Sequence, residues 1–294
     1  MREHHLDRAG LAYAVAAFLM WGLFPLYWRP LTGVPALEVV AHRTAWGFLA
    51  VVVFVTARRG WAQARALFGR PRSLLALAGT AALIAVNWLT YIWAVTHGHV
   101  TESSLGYFIN PLVNVLLGVV VLRERLSRLQ VLAVGLAAAG VAILTVSHGR
   151  FPWIALLLAV TFGLYGLGRK TVDADALTGL LVETAILMPL AATYLLVLAG
   201  RGAGALGTRS VLTDILLVLS GAVTAVPLAL FAAGARRLPL STVGMIQYLS
   251  PTGQFLLAVA VFREPFGAAH AVTFPLIWAA LALLTWDLKR RRPG

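Results

Sequence analysis

Two charged residues, Arg43 and Glu183, lie inside long apolar runs of the chain, where a charge could do chemistry. A charge near the centre of a bilayer costs at least ~2.5–3.5 kcal/mol, so residues of this kind usually serve a function. A buried arginine attracts an anionic group, and a buried glutamate can accept and release a proton. We therefore predict that Arg43 binds a substrate and that Glu183 is a proton-coupling site. The alternative is that each side chain extends to the nearer membrane surface.

A second group of candidates lies in a segment that occurs twice, 140 residues apart. Residues 110–124 (NPLVNVLLGVVVLRE) and 250–264 (SPTGQFLLAVAVFRE) match at 7 of 15 positions, and the matches include Pro111 with Pro251. Proline has no N–H, so each proline leaves the carbonyl four residues earlier without a partner. In a membrane such a break must be covered by protein or must line a cavity. We therefore predict helix breaks at both prolines.

Polar side chains around these breaks are predicted to line a substrate cavity, together with polar and aromatic residues of the first and third apolar runs. These residues are Trp21, Asn87, Tyr91, Tyr107, Asn110, Asn114, Gln247, Tyr248 and Gln254. For Asn114 and Gln254 the alternative is a hydrogen bond between neighbouring helices. For the aromatic residues the alternative is a belt at the membrane surface, which suits Trp28 and Trp153 better because they lie at the ends of their runs.

The composition places the chain in a membrane. Of its 294 residues, 60% are hydrophobic and 12% are charged, and the mean hydropathy is +0.84, whereas soluble domains rarely exceed about half apolar residues. The net charge of +13 is spread over short connections between the apolar runs. This pattern predicts membrane orientation and not nucleic-acid binding. The absence of cysteine excludes disulfides and thiolate metal sites.

Motifs of catalysis and cofactor binding, such as G-x-S-x-G, a Walker loop or H-E-x-x-H, do not occur in the chain. We therefore predict neither an enzyme nor a cofactor. His97, His99 and Glu102 form an H-x-H-x-x-E group that could bind a metal. Since no further ligand is evident, we predict a solvated loop there and no metal site.

Ten apolar runs are long enough for helices that cross a bilayer, which takes about 20 residues. They comprise residues 10–29, 38–57, 73–96, 103–122, 128–147, 151–168, 177–199, 211–234, 241–262 and 268–287. The basic segment 58–72 is predicted to form a short helix at the membrane surface.

Basic residues in the connections between the runs indicate the orientation. With the N-terminus inside, the inner segments contain 18 lysines and arginines and the outer loops contain 5. An excess of basic residues is typical of cytoplasmic loops. The chain is therefore predicted to be a multi-pass protein of the bacterial inner membrane, with both termini in the cytoplasm.

The repeat and the orientation together predict two inverted halves. Each half has five helices, an odd number, so the second copy must cross the membrane in the opposite sense. We predict an all-α integral membrane protein of ten transmembrane helices, with one five-helix repeat in residues 1–147 and a second, inverted repeat in residues 148–294. Transporters with such repeats bind substrate near the bilayer midplane. Arg43 and Glu183 would then differ in depth by roughly 13 Å, so we predict separate roles and no ion pair between them.

The chain resembles the drug/metabolite transporter superfamily and, within it, the EamA-type family and its RarD-like, chloramphenicol-sensitive permeases. The resemblance covers nearly the whole length, and its specific segments include residues 21–25 (WGLFP), 41–43 (AHR), 102–111 (ESSLGYFINP), 163–166 (GLYG) and 247–248 (QY). It implies ten helices in two inverted repeats, cytoplasmic termini and a central substrate cavity.

These observations predict a secondary active transporter that moves a small organic metabolite or drug by alternating access, with proton coupling as a further hypothesis. Its partners would be the solute and the lipid bilayer. An intramembrane enzyme that acts on a lipid-linked substrate is the alternative, and a non-transporting assembly subunit is a third hypothesis. Small residues in 132–140 (LAVGLAAAG) would pack either a homodimer or the neighbouring helix.

Overall fold

The structure of the chain is a computed structural model that describes residues 7–122, 127–148, 151–172, 174, 176–235, 237–238 and 246–290. These residues form eleven α-helices and no β-strand. The helices are α1 (Arg8–Trp28), α2 (Ala36–Ala57), α3 (Trp61–Phe68), α4 (Pro71–Thr96), α5 (Val100–Leu122), α6 (Arg128–His148), α7 (Trp153–Thr171), α8 (Ala176–Gly200), α9 (Val211–Ala235), α10 (Leu249–Leu256) and α11 (Ala268–Arg290). The all-helical part of the prediction is therefore confirmed.

Seven helices of the described residues are long and apolar enough to cross a membrane: α1, α2, α4, α6, α8, α9 and α11. The apolar stretches of α7 and α10 are shorter. The predicted run 241–262 is represented by α10 and by one π-helical turn, Leu257–Val261, and its residues 241–245 lie outside the described ranges. The outer surface suits lipid, since side chains such as Val146, Leu75 and Val120 are 82%, 77% and 76% exposed.

Local sequence explains where several helices begin. The Asp7 carboxylate caps α1 by accepting hydrogen bonds from the backbone N–H groups of Ala9 and Gly10, at 2.9 and 3.0 Å. Pro71 begins α4 at a position where no intrahelical N–H donor is needed. The basic segment 58–72 contains α3, as predicted, and Ala64 and Leu67 bury the inner side of this short helix.

The two prolines predicted to break helices lie in different backbone surroundings. The backbone of α5 continues as α-helix through Pro111, whose side chain lies outside the described part of the structure. A single proline removes one hydrogen bond, which a long packed helix tolerates. Pro251 lies in the first turn of α10, where its missing N–H costs nothing. The backbone of α5 therefore shows no break at Pro111, whereas the predicted run 241–262 is interrupted by a turn at residues 247–248, directly before α10 and Pro251.

Most of the packing joins helices of the first half of the chain to helices of the second half. The extensive pairs are α6 with α11, α5 with α7, α2 with α8 and α9, α1 with α9 and α10, and α4 with α7 and α8. Contacts between named residues show that several of these pairs are antiparallel. Glu38 near the start of α2 accepts a hydrogen bond from Ala205 just after α8, and Thr273 early in α11 donates to the Gly140 carbonyl late in α6, at 3.0 Å.

Glycine allows the closest approach of two helices. A Cβ atom on Gly106 of α5 would lie 2.7 Å from the carbonyl oxygen and 3.1 Å from the Cα of Ala155 in α7. Because both of these are backbone atoms, neither can move without shifting a helix. By contrast, a Cβ on Gly135 of α6 would meet nothing within 4 Å.

We predict that Gly106→Ala destabilises the protein by about 1–3 kcal/mol, because the added methyl group forces α5 and α7 apart. Gly135→Ala is the matched control, and it should be neutral or slightly stabilising because alanine favours helix. Thermal unfolding of the purified variants in detergent measures the difference. Equal melting temperatures for the two variants would show that α5 and α7 are not in this close contact.

Candidate functional site

Arg43 lies in the interior of the bundle between two indole rings. Its side chain projects from α2 and is only 6% exposed. The guanidinium carbon is 4.1 Å from the ring centre of Trp88 on α4 and 5.4 Å from that of Trp28 on α1. Contacts of this kind contribute about 2 kcal/mol when desolvated, which does not replace an anionic partner. None of the described residues forms a salt bridge with Arg43.

Three hydrogen-bond donors around this guanidinium lack a partner among the described residues. They are Nε of Arg43, Nε1 of Trp28 and the hydroxyl of Tyr91, and each of these atoms is fully buried. Leaving such a group unpaired costs about 1–3 kcal/mol, and more for a charged group. A ligand with several acceptor atoms and a negative charge would pair all three, so the arrangement suits an anionic group.

Tyr91 and Tyr107 form the aromatic wall of the site. Their rings meet edge to face with centroids 5.8 Å apart, and both side chains lie near the Arg43 guanidinium. The Tyr107 hydroxyl donates to Oδ1 of Asn87 at 3.3 Å. Asn87 in turn donates from Nδ2 to the Leu158 carbonyl and to the Thr161 hydroxyl, at 3.1 and 2.9 Å. Asn87 therefore positions Tyr107 and joins α4 to α7. We call Trp28, Arg43, Trp88, Tyr91 and Tyr107 the Arg43 site.

Gln254 and Trp21 belong to a separate contact between α10 and α1. Pro25 has no N–H, which leaves the Trp21 carbonyl without its helical partner. Nε2 of Gln254 donates to that carbonyl at 3.3 Å. The Trp21 ring packs instead against Phe18 and Phe231, with centroids 5.1 and 5.7 Å apart.

The remaining polar candidates lie away from Arg43 or in contacts between helices. Asn110 donates to the Ala159 carbonyl at 3.0 Å and joins α5 to α7. The Gln247 carbonyl accepts from the Ser250 N–H at 3.1 Å in the turn before α10. Tyr248 stacks on Phe108 with centroids 6.5 Å apart, beside a separate open groove of about 1050 Å³. The side chain of Asn114 lies outside the described part of the structure.

Glu183 is completely buried and is held by three side chains. Its Oε1 accepts from the Thr80 hydroxyl at 2.7 Å and lies 3.8 Å from Nε of Arg169, and its Oε2 accepts from the Tyr165 hydroxyl at 3.2 Å. The glutamate thus pairs with Arg169 of α7 and not with Arg43. This contact ties the first part of α8 to α4 and α7.

Glu264 explains one of the matched residues in the repeated segment. The chain ends its π-helical turn, passes Arg263 in the left-handed region at φ 53° and returns Glu264 to the start of α5. The carboxylate accepts from the N–H groups of Val100 and Thr101, at 2.8 and 2.7 Å, and from the Thr101 hydroxyl at 2.9 Å. A carboxylate at this position also interacts favourably with the helix dipole. The equivalent Glu124 lies outside the described residues.

Several residues of these sites were missed or misplaced by the sequence analysis. Trp28 was assigned to a surface belt but is fully buried beneath Arg43, because its run continues into the short 3₁₀ turn Arg29–Leu31. Arg169 directly follows the predicted run 151–168 and is one of the 18 basic residues assigned to the inner segments, but α7 extends past it to Thr171. His97 and His99 stack on Trp93, with centroids 4.5 and 5.5 Å apart. Within the described residues, no group of three potential metal ligands occurs.

Comparison with known proteins gives a consistent result. Residues 8–146 match the profile of the EamA-like transporter family. An uncharacterized transporter, YojE, of Bacillus subtilis is 47% identical over 97% of this chain and 96% of its own. Protein RarD of Escherichia coli is 45% identical over 95% of both chains, and the chloramphenicol-sensitive protein RarD of Pseudomonas aeruginosa is 35% identical over 96% and 95%.

One solved crystal structure has a similar fold. It superposes with a TM-score of 0.58 at 19% identity and covers 96% of this chain and 99% of its own. At that identity the likeness extends to the fold only.

We predict that Glu264→Ala lowers the free energy of unfolding by about 1–3 kcal/mol, because two N–H groups in the first turn of α5 lose their acceptor. Glu264→Gln keeps one acceptor oxygen and should lie in between. The control is Glu102→Ala, since Glu102 is partly exposed and its partner in the described structure is His99, at 3.2 Å. Thermal unfolding that ranks Glu264→Ala level with Glu102→Ala would contradict the capping role.

Proposed function

Because the chain belongs to the EamA-like transporter family of the drug/metabolite transporter superfamily, we propose that it is a secondary active permease of the bacterial inner membrane. It moves a small organic metabolite or drug by alternating access. The resemblance inferred from the residues is confirmed by the relatives, whose names indicate a transporter and not an enzyme. The observation that carries the proposal is the Arg43 site, where the buried guanidinium and two further donors, Trp28 Nε1 and the Tyr91 hydroxyl, have no acceptor among the described residues.

The helix contacts support an inverted repeat. If α1, α2, α4, α5 and α6 correspond to α7, α8, α9, α10 and α11, exchanging the halves maps the main contacts onto one another. The pair α5–α7 becomes α1–α10, α1–α9 becomes α4–α7, and α2–α9 becomes α4–α8, while α2–α8 and α6–α11 map onto themselves.

The direction of the paired helices supports inversion as well. The start of α2 contacts the loop that follows its counterpart α8, and the start of α5 contacts Glu264, just after the π-helical turn that follows its counterpart α10. Counterparts that cross a membrane in opposite senses would meet in this way. The charge bias of the loops then places both termini in the cytoplasm.

The Arg43 site indicates the chemistry of the solute. The guanidinium would form charge-assisted hydrogen bonds with a carboxylate or a similar anion. The aromatic rings of Trp28, Trp88 and Tyr91 could pack against the apolar or aromatic part of the solute. A small solute with an anionic group next to a flat apolar body, such as an amino-acid-like metabolite, fits this site best.

Two carboxylates lie at contacts between helices that a transporter would have to break and form again as it alternates between its two open states. Glu264 ties the start of α5 to the end of α10, and Glu183 ties α8 to α4 and α7 nearer the other end of the bundle. We propose that the Glu183 contact loosens on protonation, since a neutral carboxyl group no longer holds the Arg169 cation. Transport would then be coupled to protons, because the bundle would open at the Glu183 end only when Glu183 is protonated.

The small-residue segment of α6 packs within the chain along one side only. Ala133, Ala137 and Gly140 are buried, and Gly140 contacts Thr273 of α11. The opposite side, including Val131 and Leu132, is exposed. A homodimer through that side remains a proposal, and cross-linking in membranes would test it.

We predict that Arg43→Ala weakens binding of an anionic solute roughly 10–100-fold for each hydrogen bond lost and slows its transport accordingly, because a hydrogen bond to a charged group contributes about 1.5–3 kcal/mol. Hits from a thermal-shift screen of metabolites and drugs are tested by counterflow in proteoliposomes. Arg43→Lys keeps the charge but not the planar donor fork, so it should be intermediate. The control is exposed Arg201→Ala. Normal kinetics for Arg43→Ala would refute the binding role.

We predict that Glu183→Gln removes the response of transport to a pH gradient, because glutamine mimics the neutral carboxyl group and does not titrate. Solute counterflow, which needs no net driving force, should persist in the same variant. Glu102→Gln serves as a control that changes a carboxylate outside the bundle interior. Proton-driven uptake at the wild-type rate in Glu183→Gln would rule out the coupling role.

A further inference from the structure

A second cavity, of about 430 Å³, lies at the start of α2, between that helix, the end of α8 and the following loop. One part of its wall carries the polar side chains of Glu38, His42 and Trp46. The other part is made of leucines, of which Leu49 and Leu196 are 46% and 72% exposed on the lipid-facing side. Arg43 does not belong to this cavity, because its guanidinium packs between Trp28 and Trp88.

The inner end of the cavity presents hydrogen-bond acceptors. Oε1 of Glu38 accepts from the Ala205 N–H, and no described donor contacts Oε2. His42 is 4% exposed, and its Nε2 lies 4.0 Å from Oε1 of Glu38. With the proton on that nitrogen, Nδ1 carries a lone pair, and Nδ1 is buried without a partner among the described residues. Both Glu38 Oε2 and His42 Nδ1 can therefore accept a hydrogen bond and have no described donor.

The charges around this end are negative. Besides Glu38, the carboxylate of Asp214 lies near His42. Arg201 and Arg209 are exposed on the adjoining loop and do not line the cavity. A ligand group that brings a positive charge and several N–H donors fits this end, which describes a primary ammonium.

The next turn of α2 adds a donor. Nε1 of Trp46 is buried and has no partner in the part of the chain that the structure describes. Since Trp46 follows His42 by four residues, both side chains lie on the same side of the helix. An oxygen acceptor located a few ångströms from the ammonium would pair with this indole, and the leucines would then cover an acyl chain.

We propose that this cavity binds the headgroup of a phospholipid that carries a primary amine, with ethanolamine as the simplest case. The ammonium donates to Glu38 Oε2 and His42 Nδ1, and a phosphate or ester oxygen accepts from Trp46. A trimethylated choline headgroup has no N–H to donate, and a glycerol headgroup has no positive charge. The cavity should therefore select ethanolamine lipids over both, independently of the solute that is transported.

Native mass spectrometry of the purified full chain tests the proposal. The protein is equilibrated with equal amounts of phosphatidylethanolamine, phosphatidylcholine and phosphatidylglycerol, and the retained lipids are counted. The expected result is retention of the ethanolamine lipid about tenfold above the other two, the factor that one hydrogen bond to a charged group contributes. Equal retention of the three lipids, or a preference for either other lipid, would overturn the proposal.

Variants locate the binding. Glu38→Gln should remove the preference, and Trp46→Phe should lower retention of the ethanolamine lipid while keeping the aromatic ring. If Glu38→Gln disturbs the loop after α8, which Glu38 holds through Ala205, the Trp46→Phe variant still tests the site because Trp46 does not hold that loop. Glu102→Gln, outside the cavity, should behave as wild type. A preference that survives both cavity variants would place the lipid elsewhere and refute the site.

A competition arm distinguishes a lipid from a free amphipathic amine. Dodecylamine should displace the ethanolamine lipid, and dodecanol, which has the same chain without the charge, should not. Binding of dodecylamine without any retention of the ethanolamine lipid would identify a free amine as the occupant and overturn the lipid assignment.

Discussion

The bundle depends on one constraint, which is that a polar group inside a membrane has no water to bind and must find its partner on another helix. The carbonyl of Trp21, freed by Pro25, is met by Gln254 from α10. The N–H groups in the first turn of α5 donate to Glu264. Glu183 accepts hydrogen bonds from Thr80 and Tyr165 and forms a salt bridge with Arg169. Because these contacts join the two halves of the chain, the same interactions hold the bundle together and determine which motions are possible.

Arg43 is informative because it departs from this rule. Its guanidinium has aromatic neighbours and no anion among the described residues, and unpaired donors of Trp28 and Tyr91 lie close to it. The buried carboxylates of Glu183 and Glu264 have partners, so an uncompensated Arg43 is expected to serve a function. A ligand that supplies the missing acceptors would stabilise the bound protein relative to the free protein by several kcal/mol.

The all-helical architecture could be predicted from the sequence, because apolar runs of about 20 residues favour helices that cross a membrane. The sequence also predicted no ion pair between Arg43 and Glu183, because the two residues were expected at different depths in the membrane. The partners of the polar residues could not be predicted, since they depend on which helices touch. Asn87 and Asn110 were expected to line a cavity, but their amides join α4 and α5 to α7. Arg169 follows a predicted helix end beside Lys170, so it resembled a loop charge until α7 was seen to include it.

The most direct measurement is a structure of the protein with a solute from the thermal-shift screen bound. The expected result is that the anionic group of that solute lies within hydrogen-bond distance of the Arg43 guanidinium, beside Trp28 and Trp88, with the Tyr91 hydroxyl as a further partner. A solute bound instead in the groove beside Tyr248 and Trp278, with the Arg43 site unchanged, would contradict it.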